Sequence, residues 1–244
     1  NHLAKVFDYT KIPFAKIPVE DFNTDSFIEP RTRVVYINNT QVLNEEAKES
    51  LLEFVALGGT LIFPNVNEDQ KAGFLSGIKS DAFFIYDSEA TGITFKANIL
   101  PGVQGKSIYP LKTNLSFKGD NFKEDVKVLA TSISDPTHPV ILENRIGNGQ
   151  VIHFNTSILF EKQDRGLLFA AALKGLQGVP YPIVNVSTIM IDDFPSPIYS
   201  IEPEPIKSEM GISNAEFVMN VWWPDMLKMA EKYGIDYSVY PCFN

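Results

Sequence analysis

Along the first third of the chain, apolar residues recur in two different periods. In "RVVYINNTQVLNEEAKESLLEFVALGGTLIFPN", Val34 to Ile37 and Leu61-Ile62-Phe63 are short apolar runs, while Leu51, Leu52, Val55 and Ala56 between them recur at helical spacing. Short runs bounded by turn residues predict buried strands, and the three-to-four spacing predicts a helix. Asn44 is placed to cap that helix, Glu45 and Glu46 fall in its first turn, and Gly58-Gly59 end it. Strand, helix and strand in so short a span predict a parallel pair with a right-handed crossover and helices on the sheet faces.

The pattern changes farther on. "NEDQKAGFLSGIKS" predicts a glycine-weakened helix, and residues 82–118 alternate strand-like pieces with turns at Pro101-Gly102 and Lys118-Gly119, an insertion or sheet extension. Val126 to Ala130 predicts a strand. Gly147-Asn148-Gly149 then turns a hairpin between Val140–Leu142 and Val151–Phe154. A helix from about Asp164 to Leu176 turns Leu167, Leu168, Ala171 and Ala172 inward. Pro180 and Pro182 mark a boundary, giving one domain over 1–180 and a second over 183–244.

The second stretch opens with Ile189-Met190-Ile191, which reads as a buried strand but runs into two adjacent carboxylates, Asp192 and Asp193. A loop holding Pro195, Pro197, Pro203 and Pro205 follows. A helix starting at Pro224, with Met226, Leu227, Ala230 and Tyr233 on one face and Gly234 at its stop, leads into the strand "IDYSVYPCF". This is a second β-α-β opening.

Composition narrows the function classes. A chain of 244 residues lies close to the size at which single cores stop growing, so two units, or one and a part, are expected, and 44% hydrophobic with 21% charged residues describes an ordinary folded protein. The net charge of -9 argues against nucleic acid as a partner, since binding to phosphate backbones is carried by clustered Lys and Arg. Six of those nine charges come from residues 183 onward, so a cation or a neutral ligand suits the second stretch better than an anion. The single cysteine, Cys242, allows neither an internal disulfide nor a cysteine-rich zinc site. No run is long and apolar enough for a membrane helix, and the opening at Asn1 carries no signal segment, which suggests a processed or shortened form.

Two resemblances then attach to particular residues. With "EEAKESLLEFVALGGTLIF" and "GNGQVIHFN", residues 31–178 resemble a class I glutamine-amidotransferase-like domain of the non-catalytic sort, which implies an α/β, flavodoxin-like parallel sheet. An active member needs a cysteine on the sharp turn following the third strand, served by a His and an acid; here the turn after Leu61-Ile62-Phe63 reads Pro64-Asn65, and Cys242 lies in the other half. His138 and His153 accordingly read as a loop histidine and a histidine on a half-buried strand. Residues 184–244, with Asp-Asp-Phe-Pro and "LKMAEKYGIDYSVY", resemble the start of a NodB-like polysaccharide deacetylase. The whole is similar to an uncharacterised bacterial family that joins the two.

The second resemblance implies the first β-α-β portion of a (β/α) barrel that removes N-acetyl groups from a polysaccharide or oligosaccharide. Asp192 would be its general base and Asp193 a ligand of a divalent metal such as zinc, in the periplasm or at the cell surface. The family completes its metal site with two histidines from a later motif and uses a further histidine as acid. No histidine follows His153. The expectation is that the polypeptide continues past Asn244 to supply them, and that these 244 residues alone are inert and bind no metal.

Other readings stay open beside it. Asp192-Asp193 can be a solvated strand end or a helix cap. The protein can be a non-enzymatic carbohydrate-binding or assembly module, or a glycoside hydrolase using either aspartate with a distant carboxylate. Trp222, Trp223, Tyr199 and Tyr240 suit sugar stacking and equally suit packing. Asn38, Asn114, Asn155 and Asn185 head Asn-x-Ser/Thr triplets, which are frequent by chance.

Overall fold

In the computed structural model, residues 2–40, 42–64, 70–113, 115–157, 162–176, 178–179, 188–194 and 202–241 are described. Pro180, Pro182, Asn65, Asn114, Asn185, Pro195, Pro197, Tyr199 and Cys242 lie outside them. The chain divides into two units, Asn1–Tyr181 and Pro182–Asn244.

The first unit opens with helices α1 (His2–Thr10) and α2 (Val19–Asp25), followed by β1 (Val34–Tyr36), α3 (Glu45–Ala56) and β2 (Thr60–Phe63). The local signals act as expected. The Asn44 side chain accepts a hydrogen bond from the Ala47 backbone N–H at 2.8 Å, Glu45 and Glu46 sit in the first turn, and Gly58 follows the helix at φ 118°. β1 and β2 are parallel, with Val35 opposite Leu61.

Then come α4 (Gln70–Ser76), β3 (Phe84–Ile85), β4 (Ala90–Phe95), β5 (Ser107–Thr113), β6 (Ser116–Phe117), β7 (Lys127–Thr131), β8 (Pro139–Ile146), β9 (Gly149–Phe154) and α5 (Arg165–Leu173). The main sheet has the order β1-β2-β9-β8-β7-β4-β5. Its β1, β2 and β9 run parallel, but β9-β8, β8-β7, β7-β4 and β4-β5 are antiparallel. The α/β class holds, while the expectation of a parallel sheet holds only for three strands. The cause is connection length: Gly147 at φ 57° and Asn148 turn β8 straight into β9, and so tight a link can join only antiparallel neighbours.

Two cores cover the two faces. Leu51 and Val55 of α3 pack with Leu61, Phe63 and Val151, while Leu168 and Ala171 of α5 pack with Ile62, Ile141, Ile152 and Phe154. A β-carbon on Gly149 would run into the carbonyl oxygens of Val55 and Gly59, so the start of β9 meets the end of α3 too closely for any other residue. Buried Glu143 on β8 is paired with Lys174, Nζ to Oε2 2.9 Å, and with Arg145 at 3.1 Å. Burial pushes the Glu143 carboxyl up, but the Lys174, Arg145 and Lys127 charges outweigh it and hold its pKa below the ordinary value.

The second unit holds β10 (Ile189–Phe194), α6 (Ile206–Met210), α7 (Asn214–Phe217), α8 (Trp223–Tyr233) and β11 (Tyr237–Pro241). β10 and β11 are parallel, with Met190 opposite Ser238, as the β-α-β pattern predicts. Two expectations need correction. Helix does not begin at Pro224: it begins at Asn214, under a capping box of Ser213 and Glu216, and a π-helical turn over Val218–Trp222 carries it into α8. Pro224 lacks an N–H and its ring crowds the preceding turn, and the widened π turn just before it accommodates both. Nor is β10 buried. Met190 is 62% exposed, and the α8 face bearing Met226, Leu227, Ala230 and Tyr233 contains no buried residue. Among the described residues no helix is long and apolar enough to cross a membrane.

His153, expected on a half-buried strand, is fully buried on β9, with its ring centroid 6.0 Å from that of Phe122. Burial pushes its pKa down to about 3 from 6.5, so the folded protein keeps it neutral. Between those values the unfolded chain binds the extra proton, and stability conferred by neutral His153 is complete above about pH 6.5. It is lost as pH falls toward 3, at up to about 1.4 kcal/mol per pH unit. His138, lowered first by burial against an opposing Asp135, adds a slope of the same sign. Urea denaturation at pH 7, 6 and 5 is expected to show a shallower loss of stability in His153→Leu than in the parent chain; equal slopes would refute the assignment.

Candidate functional site

Asp192 and Asp193 sit at an irregularity in β10. Ile191 pairs with Val239 and Phe194 with Pro241, so three steps along β10 match two along β11. The surplus residue makes a β-bulge at the aspartate pair. Asp193 has φ 50°, the left-handed region that side chains with a β-carbon avoid and that Asp tolerates better than most. Its backbone N–H donates to Asp192 Oδ1 at 3.1 Å, which fixes the first carboxylate against the turn. Both aspartates are exposed. A solvated strand end would need neither the bulge nor the left-handed backbone.

Aromatic rings stand beside the pair. Phe194 meets Trp223 edge-on at 4.9 Å between centroids, Trp222 lies 6.0 Å from Trp223, and Tyr237 lies 6.4 Å from Trp223. The π turn sets this register, since it ends at Trp222 and hands the chain to α8 at Trp223. Tyr237 is tied down in turn, its hydroxyl donating to the Met226 carbonyl at 3.2 Å. Tyr240 stands apart from this group, its hydroxyl 3.9 Å from Met190 Sδ. The sequence singled out Trp222 and Trp223 as stacking candidates and placed Phe194 in the Asp-Asp-Phe-Pro signature and Tyr237 in a strand, without assigning either to the ring cluster. Strand alternation around the bulge was the signal that could have found Phe194.

The electrostatics favour a cation or a neutral ligand here. Of the three lysines after residue 183, Lys207 pairs with Glu202, Lys228 with Asp225 at 2.9 Å, and Lys232 lies over the Tyr233 ring at 5.0 Å. The donor atoms suit a hard divalent ion in kind, since both are carboxylates. They fall short in number: a zinc site takes four ligands, and among the described residues no group of three His, Cys, Asp or Glu comes together. Asp192 and Asp193 alone do not hold the metal that the resemblance implies. Two of the three histidines, His138 and His153, belong to the core of the first unit, each buried with one ring nitrogen, Nε2 and Nδ1, unpartnered among the described residues, while half-buried His2 accepts from Arg165 at 3.0 Å. Asn155, which heads a glycosylation triplet, is fully buried and spends its amide on Phe117 and Pro139, so it accepts no glycan.

Comparison with known proteins adds a family and a fold. A family described as "Uncharacterised protein conserved in bacteria (DUF2194)" matches residues 1–241. No curated protein matches the chain. Among solved structures, a catalytic mutant of Gan42B, a GH42 beta-galactosidase from G. stearothermophilus, is 18% identical with a TM-score of 0.50, over 71% of this chain and 25% of that one. A cytoplasmic protein from Salmonella typhimurium LT2 is 12% identical with a TM-score of 0.46, over 71% of this chain and 83% of its own. At such identity the beta-galactosidase likeness establishes fold alone. Because 71% of the chain is about 173 residues and the second unit has 63, most of the matched length falls in the first unit. This chain spans about a quarter of the beta-galactosidase.

The strained bulge makes a prediction that separates backbone from side chain. Glycine relieves a left-handed conformation and alanine does not, so Asp193→Gly is expected to be more stable than Asp193→Ala by about 1 kcal/mol in thermal denaturation. The reverse order would mean that the bulge is not under strain.

Proposed function

The chain belongs to the bacterial family DUF2194, which covers it almost from end to end, and from that premise we propose that it acts on carbohydrate as a polysaccharide deacetylase centred on Asp192 and Asp193. The observation that carries the reading is the bulge, which presents two carboxylates together from a backbone conformation that costs stability. The anionic character of the second unit and the rings of Phe194, Trp222 and Trp223 suit a neutral, acetylated sugar. A structural relative described as a beta-galactosidase acts on the same broad class of substrate.

In this reading water adds to the acetamide carbonyl carbon while the Asp192 carboxylate accepts its proton. The C–N bond then breaks as the nitrogen takes the proton that Asp192 accepted, and acetic acid, which ionises to acetate in water, and a free amine leave. Asp193 would be one ligand of a divalent ion whose other ligands are not among the described residues; such an ion, when bound, would polarise the carbonyl. The first unit serves as the non-catalytic, amidotransferase-like part. A periplasmic or cell-surface location follows from the substrate.

A glycosidase reading has one observation in its favour, the beta-galactosidase relative, but that match lies mostly in the first unit, away from Asp192. Products separate the two: deacetylation yields acetate without new reducing ends, and glycoside cleavage the opposite. With an N-acetylglucosamine oligomer and the natural full-length polypeptide, Asp192→Asn is expected to cut acetate release by about 100- to 10,000-fold. Acetate release unchanged in Asp192→Asn, or absent from the parent with zinc and other divalent ions supplied, would sink the deacetylase reading.

A further inference from the structure

A second place on the molecule has the shape and chemistry of a binding site. The small antiparallel sheet of β3 and β6, with Phe84 opposite Phe117 and Ile85 opposite Ser116, borders a cleft of about 590 Å³. That volume lies within the range of small-ligand sites. Phe83 and Tyr86 line it, and they are among the most exposed aromatics of the protein, at 80% and 67%. Asp87, Lys118, Asp120 and Asn121 complete the rim.

The cleft is built rather than left over. The Phe83 backbone N–H donates to Asn121 Oδ1 at 2.7 Å, the Asn121 carbonyl accepts from the Lys79 backbone N–H at 2.8 Å, and Lys79 Nζ donates to the Asp120 carbonyl at 2.7 Å. One wall is thereby tied to the other. Tyr86 packs edge-on against Phe84, centroids 5.1 Å apart, and Phe84 packs the same way against buried Phe117, also at 5.1 Å. Phe117 is itself held at both its N–H and its carbonyl by the Asn155 side chain. The Tyr86 ring therefore rests on a fixed stack that runs into the core.

We propose that this cleft binds the ring of a neutral sugar. Exposed aromatic faces offer apolar contact to the C–H face of such a ring, and the rim supplies acceptors in Asp87 and Asp120 and a donor in Lys118 for its hydroxyls, while the Asn121 amide is spent on holding the rim together. Asp87 and Asp120 are balanced here by Lys118 and by the Lys79 ammonium on the Asp120 carbonyl, so the cleft carries no net charge and suits a neutral ligand. The choice of a sugar among neutral ligands rests on the carbohydrate reading above; the cleft and its rims do not. It belongs to the first unit, whereas Asp192 belongs to the second, so binding here needs neither the metal nor the chemistry at the bulge.

Calorimetric titration of the natural full-length polypeptide with tetramers of β-1,4-linked glucose, β-1,4-linked N-acetylglucosamine and β-linked galactose tests this. At least one is expected to bind, Phe83→Ala and Tyr86→Ala each to weaken it at least tenfold, and Phe83→Trp to retain it. Tyr9→Ala, which removes an exposed aromatic of α1 outside the cleft, is the control, expected to leave this affinity unchanged. Binding by none of the three, or binding that both alanine variants leave intact, overturns the proposal. So does a dimer, seen by light scattering, that Phe83→Ala dissolves, because the cleft is then a protein contact. If acetate release fails but Phe83→Ala and Tyr86→Ala still lose the sugar, the deacetylase reading falls and the cleft stands.

Discussion

The first unit depends on β9 being paired along both edges and buried on both faces. One edge runs parallel to β2, the other antiparallel to β8, so this strand joins the two kinds of sheet. Val151 faces the α3 side, and Ile152 and Phe154 face α5, all fully buried. Each such side chain contributes on the order of 2 kcal/mol of transfer free energy, and a one-residue slip would send the Ile152 and Phe154 set to the wrong layer. The register is held where β9 begins, because Gly149 fits against the Val55 and Gly59 carbonyls only without a side chain. The Glu143–Lys174 pair on neighbouring β8 ties the same region to the residue just after α5.

That arrangement also accounts for polar atoms deep in the unit. Asn155 follows β9 directly, and its amide satisfies Phe117 from both sides while reaching the Pro139 carbonyl. The small β3–β6 sheet is thus anchored through a single side chain to the end of the central strand. His153 occupies the same face with Phe122 and stays neutral because nothing charged offsets its burial.

What could be read from the sequence was what local chemistry decides. The Asn44 cap, the α3 stripe, the Gly147-Asn148 turn and the inward side of α5 all involve residues within a few positions of each other, and all are present. Strand direction was legible where a short connection fixes it, in β1–β2, the β8–β9 hairpin and β10–β11, and not for β4, β5 and β7, whose longer links leave it open. Pro224 pointed to a helix start, yet the helix runs through it, since a π turn is a tertiary accommodation with no sequence period of its own. The depth of His153 was missed for a related reason: a strand's alternation shows which side a residue faces, and says little about what covers that side.

The aspartate pair is the case in which sequence and structure inform each other most. The sequence showed two like charges at the end of an apolar run, and a cap or a solvated end explained them equally well. The structure adds that the second aspartate has left-handed backbone at a bulge, and that its own N–H holds the first carboxylate. If geometry alone governed the position, glycine would serve better there, since it adopts positive φ without steric cost. Asp is tolerated, but its carboxylate is then presented next to a second one in a unit that already carries most of the chain's negative charge. The left-handed backbone at Asp193 is itself a cost to folding. The geometric ground for the function proposed at this pair is therefore a residue that strains the backbone where glycine would not, with its N–H holding a second carboxylate.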